Sequence, residues 1–118
     1  MQILYEHSEE GDTDCLGLLP GRVRRLAAAP GVRVPHMGWN RLQHQRASAL
    51  LDGIEDGSQA YFVHSYAAAA DDACVARCTH GAPFAALVQR GNVCGAQFHP
   101  ERSAATGARL LENFLRWH

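Results

Sequence analysis

Lysine is absent: all 11 basic side chains are Arg, and they stand against 12 acids for a formal net charge of −1. That balance argues against a basic surface for nucleic acid. Together with the abundant alanine it reads as compositional bias, so no function is drawn from it. Long hydrophobic runs are missing too, and none approaches the ~20 residues of a membrane span. Met1–Glu10 carries acids where a secretory leader would be basic and then apolar, so no signal peptide is read. Cysteine is scarce: Cys15, Cys74, Cys78 and Cys94 fit no disulfide framework. Reduced thiols in a cytoplasmic protein are the expectation. No repeat, linker or low-complexity segment interrupts the chain. What remains is 118 residues that are 47% hydrophobic, enough for one domain burying roughly 65% of its unfolded surface and too apolar for disorder.

The opening segment Met1–Ser8 reads as a helix, with Ile3, Leu4 and Tyr5 apolar and Glu6 following, although no polar cap precedes it. Gly11–Thr13 breaks it, and Leu16–Gly21 ends in a Pro-Gly turn. Arg22–Leu26 and Gly31–Pro35 alternate weakly as short strands, and His36–Asn40 reads as an aromatic, Gly-containing loop. Leu42–Leu51 is partly amphipathic and stops before the Asp52–Ser58 loop. Ala60–His64 is aromatic and β-branched, a strand. Ala73–Thr79, Phe84–Arg90 and Val93–Phe98 are three further strands, separated by turns at Gly81 and Gly91-Asn92, which predicts a β-meander. Glu101–His118 closes the chain as a helix with Ser103 as N-cap. Its expected apolar stripe is Ala104, Ala108, Leu111 and Leu115, widened by Leu110 and Phe114. The pattern predicts one α/β unit.

Chemistry concentrates where strands run out into polar residues. In Gln97-Phe98-His99-Pro100-Glu101 an apolar strand meets a His with a Glu two residues on, and the carboxyl ends of strands are where α/β sheets gather catalytic groups. A carboxylate on one imidazole nitrogen selects the tautomer and leaves the other nitrogen as a base, able to activate a Ser or Cys within reach. The same spacing also suits a Glu that merely benefits from a helix N-terminus. Val63-His64-Ser65-Tyr66 offers hydroxyls and backbone amides for a polar ligand, or is a strand emerging into solvent. Met37 and Trp39, in Pro35-His36-Met37-Gly38-Trp39-Asn40, suit a partner surface or the core. Cys74, Cys78 and His80 are not expected to make a zinc site: four residues along a strand span about 13 Å, too far for two sulfurs on one tetrahedral ion. A helix would bring them close, but the surrounding meander pattern argues for strand. No metal and no cofactor is expected. Cys94 reads as a small core residue, and Cys15 sits beside Asp12 and Asp14, which disfavour its thiolate.

Taken together, these motifs resemble a family. Phe98-His99-Pro100-Glu101 is similar to the His-Pro-Glu signature of class I (triad) glutamine amidotransferases. Within that class, Leu16-Gly17-Leu18-Leu19-Pro20-Gly21, Pro35–Asn40 and Tyr61-Phe62-Val63-His64-Ser65-Tyr66 resemble the glutaminase subunits of imidazole glycerol phosphate synthase. Gln89-Arg90-Gly91-Asn92 and the tail Gly107–Leu115 agree, and the likeness runs through essentially the whole chain in order. The resemblance implies a doubly wound, flavodoxin-like α/β fold, of which residues 1–118 would be the C-terminal portion. The family's nucleophile segment reads roughly Gly-x-Cys-Leu-Gly-Met-Gln. A chain opening Met1-Gln2-Ile3-Leu4 is therefore expected to start just after that elbow, without the nucleophile, the early strands or the oxyanion loop.

The resemblance further implies hydrolysis of L-glutamine through a thioester, with ammonia passed to a (β/α)₈ cyclase subunit in histidine biosynthesis. On this sequence His99 would be the general base and acid, and Glu101 its orienter. Gln2, Ser65 and Tyr66 would hold the substrate, and Met37, Trp39 and Arg102 would meet the cyclase, Arg102 standing where Lys is commoner. No nucleic acid and no membrane enters this picture, and the chain by itself is expected to be inactive. Two alternatives are a non-catalytic module that binds the cyclase, and an amidotransferase for another pathway such as anthranilate or guanine synthesis. Leu16–Gly21 and His36–Asn40 disfavour the second.

Overall fold

A computed structural model describes residues 1–117, apart from the side chain of Ile3. Strands dominate: β1 His7–Ser8, β2 Thr13–Asp14, β3 Arg22–Arg25, β4 His36–Arg41, β5 Gln43–His44, β6 Gln59–His64, β7 Tyr66–Ala68, β8 Cys74–His80, β9 Ala82–Arg90 and β10 Val93–Ala96. A single α-helix among the described residues, α1 Ala104–Arg116, closes the chain. The strands form two four-stranded sheets, ordered β2-β1-β3-β7 and β10-β9-β8-β5, and a two-stranded ribbon β4-β6. β1 and β3 run parallel while the other pairs are antiparallel. The architecture is the expected mixed α/β one, with the β-meander β8-β9-β10 and the closing helix in place.

The meander follows from composition. β9 runs Phe84 to Val88 without an exposed residue, the continuous apolar run of a strand covered on both faces. Gly81, at φ +78°, and Gly91, at φ +59°, take left-handed conformations in the two turns. Strand β6 alternates, with Ala60, Phe62 and His64 inward. Phe62, Phe84 and Phe98 pack edge to face at 5.6 and 5.9 Å between centroids, the geometry that ring quadrupoles favour. They belong to the larger core cluster with Leu42, Leu50, Leu87 and Leu110; a smaller one gathers Tyr5, Leu19, Val23, Cys74 and Val88.

Several expectations are corrected. The expected helix Met1–Ser8 is only one 3₁₀ turn, Gln2–Leu4, before β1. Backbone partners from the next segment outcompete helical ones: Leu4 and Tyr5 carbonyls accept from Leu19 and Gly17, and Glu6 N–H donates to Gly21. His36–Asn40 is not a loop but lies in strand β4, in register with β6 from His36↔His64 to Arg41↔Gln59. Its alternation, with His36 inside and Met37 and Trp39 outside, is the period of a half-buried strand, hidden by its glycine. Gly31–Pro35 carries only an isolated bridge from Val32 to Ala29. Leu42–Leu51 resolves into β5 and a 3₁₀ turn Ala49–Leu51, capped by Ser48 Oγ accepting from Leu50 N–H.

At the C-terminal end, a 3₁₀ turn Pro100–Arg102 precedes α1, and His118 lies outside the described residues. The buried face of α1 is Gly107, Leu110 and Asn113, so the expected stripe Ala104, Ala108, Leu111 and Leu115 is the exposed side. Asn113 turns inward because its amide donates to the carbonyls of Leu50 (2.9 Å) and Asp52 (2.7 Å). No helix among the described residues is long and apolar enough to cross a membrane.

Candidate active site

Strand β10 passes through Gln97 and Phe98 into His99, and three backbone anchors fix that exit. Gln97 N–H donates to Ala86 O (2.8 Å) and His99 N–H to Tyr61 O (3.0 Å). Ser103 stands at the N-cap position of α1 but makes no capping bond. Its buried hydroxyl instead accepts from Tyr61 N–H (2.9 Å) and donates to His99 O (2.6 Å). The His99 backbone is thus pinned to β6, and Pro100 restricts the next φ.

On that rigid turn Glu101 Oε1 lies 2.9 Å from His99 Nδ1. A carboxylate accepts, so Nδ1 carries the proton and Nε2 is left as the base. Both side chains reach solvent, 42% exposed for His99 and 64% for Glu101. The Glu101 carboxyl is held below its ordinary value, first by its own backbone N–H and then, against some desolvation, by the bond from His99 and the charges of His99 and Arg102.

Gln2 joins this end of the molecule. Its Nε2 donates to Tyr66 O (2.8 Å) and to Gln97 Oε1 (2.9 Å), two residues before His99. Tyr66 takes part through its carbonyl, while its ring lies 6.0 Å from Arg25 Cζ. Ser65, half-buried between β6 and β7, is held by its carbonyl, which accepts Leu26 N–H at 2.8 Å. Of the expected trio, Gln2 and Tyr66 meet through the Tyr66 carbonyl, and the backbone bond of Ser65 goes to Leu26 instead.

Met37, Trp39 and Arg102 share a second surface. Met37 is 64% and Trp39 50% exposed. Trp39 meets Tyr61 edge to face at 5.8 Å, and Arg102 Cζ sits 4.2 Å from the centre of the same ring, a cation–π contact. Tyr61 is also the residue whose carbonyl holds His99 N–H, so this face adjoins the His99 turn.

None of the four cysteines is a hydrogen-bond partner of His99 among the described residues. Cys74 and Cys78 are buried in β8, and burial pushes both thiols up to about 11; it raises Cys94 as well. Cys15 donates to Thr13 O in the β1–β2 hairpin. Among the described residues no cluster of His, Cys, Asp or Glu could hold a metal ion.

Sequence reasoning passed over Gln97, whose side chain positions Gln2, and the inward histidines His36 and His64. Their signal was the alternation of β4 and β6, which puts a His on the buried face of each strand. Their Nδ1 and Nε2 lie 2.9 Å apart, and burial, helped by His80 and His64, lowers His36 to about 4.

The model of the glutamine amidotransferase class-I family matches residues 1–117. The chain is 68% identical over 115 residues to the imidazole glycerol phosphate synthase subunit HisH of Xylella fastidiosa. It is 64% identical to the subunits of the same name in Xanthomonas oryzae pv. oryzae and Xanthomonas euvesicatoria pv. vesicatoria. Each match takes in 98% of this chain and 58% of the relative, so the chain spans under two thirds of the length of these relatives. A family model that runs from residue 1 to 117, with the His99–Glu101 pair inside it, places the chain in the glutamine amidotransferase class-I family.

Proposed function

We propose that the chain carries the base-and-orienter half of the glutaminase site of an imidazole glycerol phosphate synthase, in histidine biosynthesis. The observation that carries this reading is the His99–Glu101 pair, joined at 2.9 Å on a turn anchored to β6. With Nδ1 protonated toward Glu101, Nε2 takes the proton from a Cys thiol, and the thiolate attacks the side-chain amide carbon of L-glutamine. The proton then goes to the departing nitrogen, ammonia leaves, and a thioester remains. Water, deprotonated by the same Nε2, attacks the thioester and releases glutamate and the thiol. The buried thiols of Cys74 and Cys78 do not suit that nucleophile, and neither Cys15 nor Cys94 hydrogen-bonds His99. In this reading the thiol is that of an elbow upstream of Met1, in a domain of which the chain is the C-terminal portion.

Gln2, Ser65 and Tyr66 hold the glutamine, and ammonia passes to a (β/α)₈ cyclase subunit docked on Met37, Trp39 and Arg102. That docking face adjoins the His99 turn through Tyr61, which supports short transfer. No cofactor is needed, and the compartment is the cytoplasm. Glutamate release tests the reading: the chain with cyclase should give none, and the chain preceded by a Gly-x-Cys-Leu-Gly elbow and the family's early strands should give turnover that His99→Ala abolishes. A second reading, a module that binds the cyclase without catalysis, is favoured by the exposure of Met37 and Trp39. It predicts cyclase capture together with glutamate release that stays at background in the extended protein.

A further inference from the structure

His36 and His64 face each other in the core of the β4–β6 ribbon, 4% and 7% exposed, and the proposed reaction does not use either. Their partners determine both tautomers. Tyr66 O can only accept, so His64 Nδ1, 2.9 Å away, carries the proton. The Nε2 of a neutral His64 is then an acceptor, and His36 Nδ1, at 2.9 Å, must donate to it. His36 Nε2 is in turn an acceptor, and Asn40 Nδ2 donates to it at 3.2 Å. The orientation of that amide is fixed independently: Nδ2 also donates to Thr79 O (3.1 Å), and Oδ1 accepts Arg41 N–H (2.8 Å).

The result is a one-way chain of hydrogen bonds from strand β4 to the Tyr66 carbonyl. Protonating His36 Nε2 would remove the acceptor for Asn40, and protonating His64 Nε2 would set two donors against each other. The surroundings oppose both. His36 stacks on Phe62 (4.9 Å) and on His80 (4.2 Å), and Phe84 closes the edge. Burial, followed by any charge on His80 or His99, disfavours a charged His64 against the pull of the Tyr66 carbonyl.

Tyr66 O takes a second bond, from Gln2 Nε2 (2.8 Å), whose other hydrogen goes to Gln97 Oε1 (2.9 Å). Both hydrogens of the Gln2 amide are thereby engaged, and Oε1 is the atom left to accept. We propose that His36 and His64 are positioning residues: they fix the Tyr66 carbonyl from strand β4, and through it keep the Gln2 carboxamide turned so that Oε1 is offered to an ammonium or amide N–H of the bound amino acid. The use of that oxygen rests on the reading of Gln2 as a substrate-holding residue; the chain of bonds does not. It also ties Gln2 to the strand whose opposite face carries Met37 and Trp39, so a partner that shifts β4 acts on Gln2.

Long-range ¹H–¹⁵N correlation spectra of the 118-residue chain at pH 7 test the proposal. His36 and His64 should both be neutral with the proton on Nδ1; a proton on Nε2 of either ring, or an imidazolium, overturns it. In His36→Phe, which keeps the aromatic stack but removes the donor to His64, the Gln2 side-chain NH₂ signals should move and exchange at least about threefold faster. His80→Phe, which touches the same ring outside the chain of bonds, should leave them in place. Equal responses in the two variants, or none in His36→Phe, refute the positioning role; should His36→Phe not fold, the tautomers of the parent chain decide alone. Glutamate release by the elbow-extended protein separates the two ideas: its absence with correct tautomers sinks the glutaminase reading and leaves the positioning intact.

Discussion

Gly107 is where helix α1 meets the turn that carries His99 and Glu101, and replacing it with alanine sets two effects of opposite sign against each other. A helix-interior glycine costs up to about 1 kcal/mol relative to alanine, so Gly107→Ala should stabilise if nothing touched the new methyl. The added Cβ, however, would lie 1.8 Å from Pro100 O, 2.6 Å from Pro100 C and 2.9 Å from Pro100 Cα. All three atoms are backbone, in the residue between His99 and Glu101, so no side chain can swing away. Relief requires α1 to move by more than an ångström from a turn that is tied to β6 through Tyr61 and Ser103. Overpacking of this kind costs about 3 kcal/mol at the upper end of the usual range. The clash outweighs the propensity gain, and net destabilisation of about 2 kcal/mol follows. For a domain of this size that lowers Tm by roughly 8 °C, read by thermal unfolding followed by circular dichroism. A variant melting at or above the parent temperature would refute the packing described between α1 and the His99 turn.

Four further outcomes follow from this geometry and from the proposed function. His36, held at about 4 by burial, is neutral in the folded chain where an ordinary histidine at about 6.5 would be charged. Its contribution is intact above pH 6.5 and is lost as pH falls toward 4, up to about 3 kcal/mol; urea midpoints of His36→Phe should show a shallower acid decline, and unchanged steepness would contradict the burial. Trp39→Ala should cost the fold only about 1 kcal/mol, since the ring is half exposed, while weakening cyclase capture at least about 30-fold, measured by titration calorimetry. Glu101→Gln should leave Tm within about 2 °C, because the carboxylate is exposed, and lower glutamine turnover of the elbow-extended protein by at least about 100-fold. With a thiol reagent, half-exposed Cys15 should react first, and Cys74 and Cys78, buried with raised thiols, only on unfolding.

Legibility in the sequence tracked how local each signal is. The meander needed only runs of apolar residues and two glycines, and β8, β9 and β10 fall within a residue or two of expectation. The His99–Glu101 contact was legible because i and i+2 across a proline leave few geometries. Nonlocal pairing was not legible. The first residues look helical until Gly17, Leu19 and Gly21 supply their backbone partners, and the Gly-containing His36–Asn40 becomes a strand only because β6 lies beside it. Hydrophobic periodicity misassigned the faces of α1, since Gly107 and Asn113 are buried for close approach and for hydrogen bonds. Ser103 has the residue type of an N-cap, whereas its hydroxyl joins Tyr61 to His99. The paired histidines were each visible, but no spacing rule connects residues 36 and 64.

The most direct measurement is glutamate release in the presence of cyclase, from the 118-residue chain and from the same chain preceded by the family's early strands and the cysteine-bearing elbow. The account predicts background from the first and turnover from the second, falling at least about 10³-fold in His99→Ala. Turnover by the short chain itself, or a His99→Ala variant as fast as its parent, would contradict it.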